Sequence, residues 1–295
     1  VAGELVSGND SVFHLLMVQM AAEAIAQGWD FTDPWQASMG MGYPMFHHYH
    51  HLPHVTIALV HVLTLEVFSL ASIFNWSMYL LLSFFQLSIY WAMRQFGFDG
   101  MSAALGGLVS PLVTTSGILG FGFPSYVFQG WGVHAQLWAM VFLPPALALG
   151  YRVIQEGRGY LWATLLLAAT LMSHVMYGYI AFLTLGVLTL IQPGHIYDLK
   201  SLADTMLPRW RRLITLVLLV GVVTSYFLVP TILDRSFLNN SVFLDAVKYD
   251  SYGHSQVLQG LVTGNLFDFG RLPFLTIFAA AGFVLCLVRW KEKRY

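Results

Sequence analysis

The chain reads as an all-α protein, a polytopic membrane helical bundle, and three observations carry that reading. Of 295 residues, 57% are hydrophobic and only 10% charged, where a soluble domain averages about 45–50% apolar and about 25% charged. Long apolar stretches recur along the chain at 54–74, 76–93, 101–119, 133–151, 160–191, 213–233 and 272–290. Lys and Arg gather in short connectors between them. A soluble surface of this composition would be one large apolar patch, so soluble enzymes and disordered regulators are excluded. The net charge of −1 offers no basic footprint for nucleic acid. Cys286 is the single cysteine and forms no internal disulfide.

At the N-terminus, Gly8-Asn9-Asp10-Ser11 precedes an apolar helix that runs through His14 to Gln27, with Gly28 as its stop. Asp10 or Ser11 there suits a helix cap. Asp10 and His14 also lie one turn apart on one face, placed to take a proton from a hydroxyl or to hold a divalent cation such as Mg or Mn. Trp29 to Phe46 mixes aromatics with Gly, Pro and Asp, the pattern of a structured interfacial loop. His47-His48-Tyr49-His50-His51-Leu52-Pro53-His54 packs five histidines into eight residues. Imidazole is the commonest protein ligand for transition metals, and Asp10, His47, His50 and His54 are the candidate metal ligands.

A crossing needs roughly 20 apolar residues. The stretch 54–74 contains His61 and Glu66, and a mid-span carboxylate is expensive, so this segment is expected at the membrane surface or re-entrant. The stretch 160–191 holds 32 residues, which at about 1.5 Å each would reach about 48 Å. It is expected to break near Ser173, His174, Gly178 and Tyr179. Gly106-Gly107 allows close helix approach.

Sidedness follows from the basic residues. Residues 1–93 contain none, whereas 11 of the 14 fall in four connectors: Arg94; Arg152 and Arg158; Lys200 with Arg209, Arg211 and Arg212; and Arg289, Lys291, Lys293 and Arg294. All four connectors are cytoplasmic if 1–53 lies outside, which calls for a span before Val1. The expected organisation is then an outer loop with juxtamembrane helices over 1–75 and a transmembrane bundle over 76–295. Ten of the eleven histidines, all but His195, fall on or near the outer face. Tyr49, His134, His174 and Arg235 are the candidate substrate contacts there, beside Asp10 and His14 as catalytic candidates.

The order of motifs resembles a known family: Asn9-Asp10-Ser11-x-x-His14, Pro34-Trp35, Gly42-Tyr43-Pro44-Met45-Phe46-x-x-Tyr49-x-x-Leu52-Pro53, Arg94-x-Phe96-Gly97, Pro144-Pro145, Ser173-His174 and Leu233-Asp234-Arg235. It is similar to bacterial membrane proteins labelled 6-pyruvoyl-tetrahydropterin-synthase-related, which themselves look like GT-C-fold glycosyltransferases. The resemblance implies a place in the bacterial cytoplasmic (inner) membrane and a polyprenyl-phosphate sugar donor reached from the lipid. It also implies that Asp10 is the catalytic or metal-binding acid. Positions where such proteins often carry Arg and Glu hold Gln129 and either His134 or Gln136. Two other functions remain open. One is a non-catalytic accessory subunit packing its aromatic flanks against partner subunits. The other is an outer-face metal-binding protein using His47 to His54.

Overall fold

The computed structural model describes residues 10–37, 42–113, 134–190, 199–237 and 253–288. Gln129, Lys248, His195 and the basic residues after Val288 lie outside them, as do Gly8 and Asn9. Among the described residues, the elements longer than three residues are all helices. A two-residue antiparallel pair, β1 (Trp35–Gln36) and β2 (Tyr43–Pro44), clips the loop after the first helix. Gly42 allows this closure, because a Cβ there would run into the Trp35 indole.

The first helix, α1 (Ser11–Gln27), ends as expected on Gly28 in the left-handed conformation. The apolar stretch 54–74 is divided. Helix α2 (Leu52–Leu63) is only 12 residues long, and a turn with Leu65 and Glu66 at positive φ follows. Glu66 is therefore exposed in a turn and not within a helix. Ser69 caps the next helix, α3 (Leu70–Gln95), by accepting from the Ser72 amide. The expected boundary at residue 75 falls inside α3. Asp99 caps α4 (Gly100–Val109), which is extended by one tight turn to Leu112. The expected span 101–119 is thus described only as far as residue 113.

Helix α5 (His134–Glu156) is the hub and packs against α2, α3, α6, α7 and α8. Two prolines interrupt its interior. Pro145 lacks the N–H that would bond the Val141 carbonyl, and the Ser88 hydroxyl of α3 donates to that carbonyl at 2.6 Å instead. The 160–191 stretch breaks where polar residues interrupt it, into α6 (Tyr160–Ser173) and α7 (Val175–Leu190) with extended His174 between them. The run expected as one span over 213–233 is instead α8 (Leu199–Val223) and α9 (Ser225–Leu233), bent by 82° at Thr224. Short helices α10 (Gly253–Thr263) and α11 (Asn265–Asp268) lead to α12 (Phe274–Val288). Buried Asp268 caps α12 by accepting from the Leu275 and Thr276 amides.

Helices α3 and α5, with 26 and 23 residues, are long and apolar enough to cross a membrane, and the bent α8–α9 pair makes a third if counted as one. Two apolar cores result. Met17, Val18, Ala21, Met45, Phe46, Ile57, Ala58 and Phe74 join α1, α2 and α3. Ala146, Ile154, Leu167, Leu185 and Leu216 join α5 to α8. Between the cores, at the His134 end of α5, the polar residues collect.

Candidate functional site

Four histidines from four separate places meet there: His14 from α1, His54 from α2, His134 opening α5, and His174 at the α6–α7 break. Tyr49 and His50 reach in from the loop before α2. His14 Nδ1 and His54 Nε2 are 2.9 Å apart in a buried hydrogen bond, so one imidazole donates and the other accepts. The ring of His134 stands 5.9 Å from that of His14 and 6.3 Å from that of His54. His50 and His174 face each other at 4.9 Å, and Tyr49 stacks on His50 at 4.1 Å. Phe74 covers His134 in a stack at 4.1 Å.

Burial sets the charge of these groups. His14 is pushed down to about 4 by burial, against the pull of the Asp10 carboxylate, with His174 lowering it further. Burial likewise pushes His50 down to about 3, aided by neighbouring imidazoles. The Tyr49 phenol is pushed up to about 12 by burial and by Asp10. At neutral pH His14 and His50 are therefore neutral imidazoles and Tyr49 is a protonated phenol.

Asp10 occupies the cap position of α1, yet its side chain makes no capping bond. It is exposed, and its backbone carbonyl accepts from the His14 amide at 2.9 Å, which confirms the one-turn spacing. The carboxylate is thus left at the rim of the imidazole cluster.

Several ring nitrogens inside the cluster are buried with no hydrogen-bond partner among the described residues: Nδ1 of His54, both nitrogens of His134, Nε2 of His50 and Nδ1 of His174. A buried polar group left unpaired costs about 1–3 kcal/mol.

His47 has a different role. Its Nδ1 lies 2.9 Å from Asp33 and its Nε2 lies 2.8 Å from Asp234. Each nitrogen faces a carboxylate, an arrangement that favours the protonated ring, in which both nitrogens donate. The bonds to Asp234 and Asp33 accordingly raise its pKa. The Thr231 hydroxyl also donates to the His47 carbonyl at 3.2 Å, and the pair clasps the loop to the end of α9. His51 adds a second tie. Its Nδ1 donates to the Tyr49 carbonyl at 3.1 Å, leaving Nε2 to accept from the Tyr226 hydroxyl at 3.0 Å.

The expected residues thus sort into two groups. Asp10, His14, Tyr49, His50, His54, His134 and His174 come together, whereas His47 is held in the clasp and Arg235 is exposed just beyond it. The candidate metal set Asp10, His47, His50 and His54 is accordingly divided among separate partners. Among the described residues, no group of three or more His, Cys, Asp or Glu side chains is posed to hold a metal ion as the rings stand. Mg and Mn favour several oxygen ligands, and Asp10 is the carboxylate acting on His14 and Tyr49. Sequence reading passed over Phe74, Tyr177 and Tyr226. The Tyr177 hydroxyl accepts from Gln136 at 3.0 Å beside His174, but apolar helices hide such aromatics in their general composition.

Trp138, one turn after His134, forms the far wall of the cluster, with the two rings 6.4 Å apart. Its other side lines an apolar groove of about 410 Å³ between α2 and α3, shared with Ile57, Val60, Phe68, Ile73 and Trp76. No protein-family model, curated protein or solved structure matches the chain.

Proposed function

We propose that the chain is a membrane glycosyltransferase of the GT-C type, moving a sugar from a polyprenyl-phosphate donor to an acceptor at the outer face of the bacterial inner membrane. The observation that carries this reading is the exposed, non-capping Asp10 carboxylate at the rim of a neutral imidazole cluster. The apolar groove behind Trp138 supports it, since a lipid-linked donor needs a greasy seat next to the polar chemistry.

In the proposed reaction the acceptor O–H proton passes to the Asp10 carboxylate as the acceptor oxygen bonds to the anomeric carbon. The bond from that carbon to the phosphate oxygen breaks, and its electron pair leaves on the polyprenyl phosphate. Protonated Tyr49 and the imidazole N–H groups of His14 and His174 are hydrogen-bond donors for the departing phosphate.

Membranes carrying the protein and a labelled polyprenyl-phosphate hexose test this directly. Asp10→Asn is expected to cut transfer by about 100-fold or more while leaving membrane insertion intact. Transfer unchanged in that variant rejects the mechanism. An accessory-subunit role is the second reading, favoured by α12, which buries none of its residues among the described residues. Stoichiometric co-purification with a larger complex, together with no transfer by the wild-type chain, would select it.

A further inference from the structure

We propose that His14, His54 and His134 form a three-imidazole site for a late first-row transition metal, zinc or copper. The inference stands apart from the glycosyltransferase reading, because it concerns what these three rings bind, whatever the reaction.

The geometry begins with the ring centres. The three centroids form a triangle with sides of 5.2, 5.9 and 6.3 Å. One point therefore lies about 3.4 Å from all three centres. A metal bonded at about 2.1 Å to an imidazole nitrogen sits about 3.2 Å from that ring's centre. Turning a histidine about its Cβ–Cγ bond swings the nitrogens and leaves the centroid in place. The ring centres thus stand at the distance from a common point that coordination requires, and it is the ring nitrogens that must turn toward it.

Unmet bonding capacity points the same way. His54 is fully buried and His134 is 1% exposed, yet Nδ1 of His54 and both nitrogens of His134 have no partner among the described residues. His14 and His54 already direct ring nitrogens at each other across 2.9 Å, where a metal would replace the single shared proton with bonds to both rings. The donor set is nitrogen alone, which suits zinc and copper and disfavours magnesium and calcium. Phe74 stacked on His134 and Trp138 beside it supply the apolar shell that keeps water off such a centre.

The test is metal analysis of the intact protein purified in mild detergent without chelators, followed by stripping and titration with Co(II), Zn(II) and Cu(I). About one metal per chain is expected, with Co(II) giving visible d–d bands. His134→Gln, which keeps size and polarity, is expected to weaken binding by about 10-fold or more, and His54→Ala/His134→Ala to abolish it. His48→Gln and His61→Gln are expected to bind as the wild type does. Elution of each variant as a folded monodisperse species guards against trivial loss. Less than a tenth of an equivalent bound by the folded wild type after titration would overturn the proposal, and so would equal binding by the folded His54→Ala/His134→Ala variant. Loss of sugar transfer without loss of metal would bear only on the glycosyltransferase reading.

Discussion

His47 and His14 are the same side chain pushed in opposite directions, because one is bonded to two carboxylates and the other is buried. The folded pKa of His47 is raised by Asp234 and Asp33. Its clasp therefore contributes fully below the unfolded value of about 6.5 and is lost as pH rises through the folded value. His48, packed edge-on at 4.6 Å, is the other titratable ring against it. The melting difference between wild type and His47→Gln is expected to be about 0.5–1 kcal/mol in mild acid, since the clasp is half open to solvent. It should shrink toward alkaline pH. A difference that is flat, or larger at alkaline pH, contradicts the ionic clasp. His14, with its folded pKa near 4, acts in the reverse sense. Its contribution holds above about 6.5 and is lost as pH falls toward 4, because the unfolded chain takes up a proton that the buried ring refuses. His14→Gln is accordingly expected to flatten the acid limb of the stability profile measured by thermal melts.

Among the elements, α5 depends most visibly on its neighbours. Pro145 frees the Val141 carbonyl, and Ser88 of α3 satisfies it. Ser88→Ala is expected to cost about 1–2 kcal/mol, and adding Pro145→Ala should recover most of that by restoring the helical N–H. Thermal melts of the two single variants and the double variant check the coupling, and strictly additive losses would refute it. Helix identity was legible from the apolar runs, and so was the break at His174, where Ser173 and His174 interrupt the hydropathy. The 82° bend at Thr224 was not, because Thr224 and Ser225 interrupt the apolar run only briefly and Gly221, Pro230 and Thr231 offer competing breaks within it. Gly28 and Ser69 worked as local stop and start signals, since capping is written within a single turn. The meeting of His14, His54, His134 and His174 is a long-range event. Charge counting assigned them to one expected side, but only tertiary packing brings His14, His54 and His134 against one another and His174 against His50. The fate of His47 was illegible for a related reason. Its partners Asp33 and Asp234 are 14 and 187 residues away, and nothing local distinguishes a clasped histidine from a metal ligand.

On the scale of the whole molecule, polar groups gather at two opposite ends of one long helix. The imidazole cluster surrounds His134 at the start of α5. At its other end Arg152 pairs with Glu156, and Arg212 donates to the carbonyls of Ile154 and Gln155, a favourable place for a cation. His134 and Arg152 are about 27 Å apart along the helix rise, close to the thickness of a bilayer core. The imidazole nitrogens that have no partner among the described residues are a cost to stability that binding would offset. The most direct test of that claim is the thermostability of His134→Phe in the metal-free, detergent-solubilised protein, where a phenyl ring would keep the stack on Phe74 and remove two nitrogens that have no partner among the described residues. A melting temperature raised by about 2–6 °C is the expected result. A melting temperature lowered by a similar amount would mean that His134 serves the fold itself, and would contradict a cluster built for binding.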